Sequence, residues 1–305
     1  MQRALGSSRI TSIREQDLTD IESLLPGATP EALDGVDWLR PHFIGADGVM
    51  LGLVQTFVVE HDGHLLVIDT CVGNGKDLPV RDEWSGLQTD FLAWFRSAGF
   101  DPTDVDVVLC THMHLDHVGW NTSHDGHRWH PTFPNARYLF NRTEFEFWQA
   151  DGSGPYVPAE GESERLTDMR RRFHQTQINV HRDSVQPIID AGLAEFVEAP
   201  CEPLPGIRLV PTPGHTPGHV SVEITSEGSR ALVTGDSFHH PCQIARPEWA
   251  SVADSDRSAS SATRLRVLAD VADTDVVLIG THFAEPVCGC VVRAGDSFRL
   301  VTDSS

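Results

Sequence analysis

Residues 111–119, THMHLDHVG, place three histidines and one aspartate within six positions. In extended backbone His112 and His114 project to the same side, because side chains alternate with period two. Asp116 and His117 are adjacent and must diverge, which suits donation to two different ions. Imidazole and carboxylate donors in this mixture are the kind that hold Zn²⁺ or Mn²⁺. Three further stretches carry matching donors: PTPGHTPGH (211–219) with His215 and His219, TGD (234–236) with Asp236, and GTHF (280–283) with His282. The prolines and glycines around His215 set the tight turns that aim it. Asp236 also opens GDSFHHP (235–241), which adds His239 and His240.

Each donor stretch follows an apolar run that reads as a strand. VDVVLC (105–110) precedes His112, IRLVP (207–211) precedes His215, ALVTG (231–235) precedes Asp236, and DVVLIG (275–280) precedes His282. Polar ligands at several strand ends can converge on one edge of a sheet sandwich, and loops at strand ends commonly carry function. LVQTFVVE (53–60) and LLVID (65–69), joined by a His-Asp-Gly-His turn, predict a hairpin. LQTDFLAWFRSAG (87–99) and ASSATRLRVLADVA (259–272) show helical spacing, and so do LTDMRRRFHQTQ (166–177) and DSVQPIIDAGL (183–193). Between residues 151 and 163 the chain is rich in glycine, proline and acid, the composition of a loop that serves as a lid. Residues 1–45 read as an N-terminal extension with a short helix around TDIESLL, and residues 46–305 as a single domain. Strand-rich halves closed by helices predict an α+β fold of two packed sheets with helices on both outer faces.

The chain carries 23 basic and 44 acidic residues, a formal charge of −21. That balance argues against a nucleic-acid partner and against adhesion to anionic membranes. No apolar run approaches the ~20 residues a membrane helix needs, and the start, MQRALGSSRITS, lacks the apolar core of a signal peptide. Six sparse cysteines read as reduced residues of a cytoplasmic protein, with Cys288-Gly-Cys290 too tightly spaced for a usual structural zinc loop.

The full set, HxHxDH followed by Gly-His after a proline-rich turn, then Gly-Asp, then a late Gly-Thr-His, resembles the metallo-β-lactamase superfamily over roughly residues 50–302. The resemblance implies an αβ/βα sandwich of two mixed sheets flanked by helices, with two divalent ions along one edge. Zn²⁺ is the first expectation and Mn²⁺, Co²⁺ and Fe²⁺ are alternatives. Carried onto this chain, one ion takes His112, His114 and His215, the other takes Asp116, His117 and His282, and Asp236 bridges them. Two ions about 3.5–4 Å apart need such an anionic bridge, and a water shared between them becomes a nucleophile near neutral pH.

Within the superfamily, β-lactamases carry Cys or Ser where this chain has Asp236. Hydroxyacylglutathione hydrolases have a helical extension after the last histidine, whereas this chain ends 23 residues after His282. The stretches DVVLCTHMHLDHVGW, FPNARYLFNRTEFEFW and DSDRSASSATRLRVLADVA are similar to the group of N-acyl homoserine lactonases and methyl parathion hydrolases. This implies hydrolysis of a small hydrophobic lactone or ester, with phosphotriesters as an alternative substrate and an iron-dependent oxidoreductase as a rival class. It leaves a homodimer open.

Asp116 and Asp236 are the carboxylates of the expected reacting centre. Asp69, in Asp69-Thr70-Cys71 where the family has Asp-Thr-Gly, is expected to support ligands rather than bind metal, and Cys71 to fill the core. His219 is expected to buttress the His215 turn. Homoserine lactonases place a tyrosine at the third position after the bridging aspartate. Here it is His239, expected to contact the substrate as a hydrogen-bond donor or acid. Trp120, Phe145, Trp148, Phe238 and Phe283 are the expected aromatic wall of the substrate site. His240 is left without chemistry, and His124, His127 and His130 are assigned to a polar surface loop.

Overall fold

Ser8–Leu18 is a strand within the expected N-terminal extension, paired antiparallel with both Gln2–Leu5 and Gly52–His61. Ile10, Ile13 and Leu18 are buried, and the register shifts between Arg14 and Gln16, so no single alternation runs the length of the strand to announce it. The expected short helix is a single turn, Ile21–Leu24. This computed structural model describes residues 1–151, 156–158 and 163–302. The chain forms two units, Met1–Gly63 with Glu198–Ser305, and His64–Val197. No helix among the described residues is long and apolar enough to cross a membrane.

In the first unit, Cys201–Leu204, Ile207–Pro211, Val220–Ser226, Ser229–Val233, Val277–Ile279, Cys288–Ala294 and Ser297–Val301 pair in that order. All neighbours are antiparallel except Ser229–Val233 with Val277–Ile279, which run parallel. A parallel pair needs a crossover, and the helix Arg257–Val271 supplies it. Asp256 caps that helix, its carboxylate accepting from the Ala259 N–H at 2.9 Å. Val267, Leu268 and Val271 lie on its buried face. The topology has a chemical consequence. Val233 is in register with Ile279, so Asp236 and His282 leave their strands at the same end. Val220 opens the antiparallel neighbour, so the turn carrying His215 and His219 lies at that end too.

In the second unit, His64–Ile68, Val107–Leu109, Arg137–Asn141 and Ala194–Val197 are all parallel. Leu66, Val67, Ile68, Val107, Val108 and Leu109 are buried, as befits parallel strands with no solvent face. Ile68 pairs with Leu109, so Asp69 and the THMHLDHVG loop emerge together.

The helix Glu164–Val180 does not end before residue 183 as the sequence suggests. It continues through a π-helical turn, His181–Val185, into Gln186–Asp190. Pro187 explains the widened turn, since proline has no N–H and its ring crowds the carbonyl four residues back. That carbonyl belongs to Asp183, and it accepts instead from the Thr122 hydroxyl and from Lys76 Nζ at 3.2 Å. Lys76 is buried, also donates to Thr122 Oγ1 at 2.7 Å, and lies 3.5 Å over the Trp129 ring. The stretch expected as a polar loop is thus a ribbon, Thr122–His124 with Trp129–Pro131, closed by Asp125 Oδ1 accepting from two backbone N–H groups. Of the expected lid, residues 152–155 and 159–162 lie outside the described residues.

Burial lowers the Lys76 ammonium to about 7. The unfolded chain therefore binds one more proton between about pH 7 and 10.5, and stability rises with pH across that window. Urea unfolding should show Lys76 contributing a slope of up to ~1.4 kcal/mol per pH unit there. The slope should disappear from the difference when Lys76→Met is measured beside the parent chain. Equal slopes for both proteins would refute the lowering of the Lys76 ammonium by burial.

Candidate metal centre

In the second unit the THMHLDHVG loop is held from three sides. The Thr70 N–H bonds the His117 carbonyl at 2.7 Å, and the Gly119 N–H bonds the Cys71 carbonyl at 2.8 Å. A Cβ on Gly119 would stand 1.8 Å from the Val72 carbonyl oxygen, so only glycine lets the two backbones meet. Gly119→Ala should cost roughly 3 kcal/mol or more, as overpacking against rigid backbone does. A melting temperature within a degree or two of the parent would contradict that contact. Glu144 Oε1 accepts from the Met113 N–H at 3.0 Å and from Trp148 Nε1 at 2.7 Å, and Gln177 Nε2 donates to the Met113 carbonyl.

Asp69 is completely buried, and its carboxylate gathers donors from the loop that carries the candidate ligands. It accepts from the Thr111 N–H at 2.8 Å, from the Thr111 hydroxyl at 2.9 Å, and from His117 Nδ1 at 2.9 Å. His117 thereby keeps its proton on Nδ1 and turns Nε2 outward, 3.7 Å from Asp116 Oδ1. The Thr111 hydroxyl, donating to Asp69, accepts from His112 Nδ1 at 3.2 Å. His112 Nε2 then lies 3.0 Å from His114 Nδ1. Cys71 next door takes φ 52°, the left-handed conformation a glycine adopts without strain, and it is fully buried.

In the first unit the same logic recurs. His215 Nδ1 bonds Asp254 Oδ1 at 3.1 Å and His282 Nδ1 bonds the Leu53 carbonyl at 2.8 Å, so each presents Nε2. These nitrogens face opposite oxygens of one carboxylate, His282 Nε2 at 3.2 Å from Asp236 Oδ1 and His215 Nε2 at 3.5 Å from Asp236 Oδ2. Donors about 2.0–2.1 Å from a tetrahedral ion are ~3.3 Å apart. The separations in both units therefore fit divalent metal, and the Nδ1 atoms of His112, His117, His215 and His282 each have a fixed partner.

Supports that the sequence did not disclose hold this half. Asp254 and Arg264 are buried, with Arg264 Nη1 3.7 Å from Asp254 Oδ2, and Arg264 Nε donates to the Pro247 carbonyl at 2.7 Å. Arg264 sits on the buried face of Arg257–Val271 among Ser260, Val267 and Leu268. A charge at helical spacing within a buried stripe was the available signal for a partner. Burial alone would raise the Asp254 carboxyl, but the His215 hydrogen bond and the neighbouring positive charges bring it down to about 2. The His215 turn needs Gly214 at φ 131°, where a Cβ would lie 2.2 Å from the Ser260 nitrogen.

His219 braces the His215 turn, its carbonyl accepting from the Thr212 N–H at 3.0 Å, and reaches a second turn as well. Its Nε2 accepts from the Asp236 N–H at 2.9 Å, while Nδ1 donates to Thr212 Oγ1 at 2.8 Å. His239 is buried with Nε2 3.5 Å from Asp236 Oδ2, and Nδ1 has no hydrogen-bond partner among the described residues. Burial lowers it to about 4, against the pull of Asp236, so it is neutral at neutral pH. His239, His215 and Asp254 also form a group with metal-binding spacing. Both His240 nitrogens are engaged, Nδ1 by the Cys242 N–H and Nε2 by the Phe43 carbonyl, in keeping with a structural role.

Of the aromatic residues expected at the substrate wall, Trp148 lies 5.3 Å from the His114 ring. Trp120 stacks on Phe91 at 5.3 Å, and Phe145 packs on Phe196 at 4.6 Å. Phe238 and Phe283 are fully buried, Phe283 against Phe43.

Residues 49–282 match the Metallo-beta-lactamase superfamily. The chain belongs to that superfamily. Its fold is accordingly two mixed sheets flanked by helices. An N-acyl homoserine lactonase, AttM of Rhizobium radiobacter, is 27% identical over 246 residues, 73% of this chain and 80% of the relative. The solved structure of AidC, a dizinc quorum-quenching lactonase in complex with a product, superposes with a TM-score of 0.77 at 22% identity, covering 100% of this chain and 97% of AidC. The hydrolase AbOPH gives the same TM-score at 23% identity, covering 100% of this chain and 97% of that one. As a superfamily member with lactonases and hydrolases among its relatives, this protein is a metal-dependent hydrolase.

Proposed function

We propose that this protein opens lactones or cleaves simple esters with two divalent ions, zinc in the first instance. His112, His114 and His215 would hold one ion and Asp116, His117 and His282 the other, and Asp236 would serve both. The observation that carries this reading is Asp236, whose two oxygens face two different imidazoles with their tautomers set. The named relatives support a lactone as the substrate. When bound, the ions would polarise the substrate carbonyl and supply a nucleophilic hydroxide from water near neutral pH. Asp116 and Asp236 offset their charge. Neutral His239 donates a hydrogen bond to the oxygen that gains charge as the acyl–oxygen bond breaks. Trp148, packed on His114, forms an apolar wall against the acyl group.

The test is a hydrolysis panel of acyl homoserine lactones, aryl esters, phosphotriesters and nitrocefin, with metal content measured on the same sample. Two zinc or manganese ions per chain with lactone and ester turnover support the reading. Turnover of phosphotriesters alone moves the substrate class, and a single redox-active iron per chain overturns it. In the same panel His239→Ala should lose about 10²-fold or more in kcat while keeping its metal. An unchanged kcat removes His239 from the reaction.

A further inference from the structure

Away from the ligands, the first unit holds a cavity of about 630 Å³ whose lining includes Trp38, Phe43 and Val301 with Arg40, Arg299 and Asp37. That volume is the size of a small organic ligand. In a chain with 44 acidic and 23 basic residues, an arginine usually has a carboxylate to meet. Arg299 has none: its side chain makes no hydrogen bond or ion pair among the described residues. It lies on the strand Ser297–Val301, where alternation puts Arg299 and Val301 on the same face. Arg40 is only partly engaged, Nη1 donating to the Gly45 carbonyl at 2.9 Å and Nη2 lying 3.9 Å from Asp34. Against these two guanidinium groups Asp37 is the sole carboxylate of the lining, which leaves one net positive charge.

The apolar side is rigid. Phe43 is buried, its carbonyl accepts from His240 Nε2 at 2.9 Å, and its ring meets those of His240 and Phe283 edge-on, both at 6.3 Å. Trp38 stands edge-on to Phe43 at 6.4 Å. The half-buried Trp38, backed by the buried Phe43, beside an arginine without a counter-ion is complementary to a single negative charge on an apolar body. The planar guanidinium fork matches a carboxylate in both spacing and charge.

We propose that this cavity is a second binding site, for an aliphatic or aromatic monocarboxylate. Its carboxylate is met by Arg299 and Arg40, and its apolar body rests on Trp38 and Val301. The site is separate from the candidate metal centre and does not rest on the hydrolase reading.

Titrating the full chain with octanoate, by calorimetry and by tryptophan fluorescence, tests it. One saturable site is expected, with a fluorescence change that Trp38→Phe removes. Arg299→Gln should weaken binding about tenfold or more, the effect of deleting a charge-assisted hydrogen bond. Arg299→Gln should leave far-UV circular dichroism and ester turnover unchanged, because the side chain is exposed on an outer strand. 1-Octanol, which lacks the charge, should bind at least tenfold more weakly than octanoate. Octanoate binding that is untouched by Arg299→Gln but lost in Asp236→Asn would place the carboxylate at the metal ligands and overturn the proposal. Octanol binding as tightly as octanoate would overturn it as well.

Discussion

Asp236→Ala should reduce kcat/KM by about 10³-fold or more, some 4 kcal/mol of transition-state stabilisation, and should lower the metal content of the purified protein. The expectation comes from one side chain serving two imidazoles through different oxygens, His282 at 3.2 Å and His215 at 3.5 Å. On the proposed two-ion reading, its loss would remove the anion between two like charges. Asp236→Asn is the sharper variant. It keeps the volume and the backbone N–H that His219 accepts, but turns one oxygen into an amide that cannot ligate. Metal-free protein should unfold at a similar temperature with either residue, because the loss falls on ligand binding. Added zinc should raise the melting temperature of the parent more than that of the variant. A variant that keeps two ions and full turnover would show that the reaction does not depend on this carboxylate.

Asp254→Ala should destabilise the fold by about 3 kcal/mol and weaken zinc binding about 10–100-fold. Asp254 receives His215 Nδ1 at 3.1 Å and the Ser251 N–H at 2.9 Å, and it faces Arg264 at 3.7 Å with both side chains at 0% exposure. Removing the carboxylate strands a buried guanidinium and frees the His215 ring at once. The double variant Asp254→Asn/Arg264→Met separates the two effects. Stability should recover in part, since neither buried charge remains, while zinc affinity stays low because His215 has lost its anionic partner. Full recovery of zinc affinity would show that Asp254 acts only through the fold. The pH dependence has a definite sign. Asp254 is held at about 2, below its unfolded value near 3.9, so its stabilisation is complete above about pH 4 and is lost as pH falls toward 2.

The stretches carrying the candidate ligands were legible because metal binding demands particular atoms at particular spacings. His112, His114, Asp116 and His117 stand in one loop, and the strands before His215, Asp236 and His282 are short apolar runs that can hardly be anything else. The role of Asp69 as an orienting residue could be anticipated, since a carboxylate just after a buried strand must be paired. Other features were hidden. The strand Ser8–Leu18 is masked by a bulge. The break expected between two helices is a π turn, because Pro187 can be tolerated where Lys76 and Thr122, distant in sequence, satisfy the Asp183 carbonyl.

By itself the sequence determined the fold class and the family and pointed to the candidate donor residues, since these follow from local periodicity and from chemistry that few residue types can perform. Only the tertiary structure decided which nitrogen each histidine presents, because that depends on the group behind the ring: Asp69 for His117, Asp254 for His215, the Leu53 carbonyl for His282. It also tied His219 to the Asp236 backbone in addition to the His215 turn, and brought Arg264 behind Asp254. Hydrogen bonds between residues tens to hundreds of positions apart leave no periodic trace in the chain. They arise only when parallel strands such as Ser229–Val233 and Val277–Ile279 bring their ends to one edge.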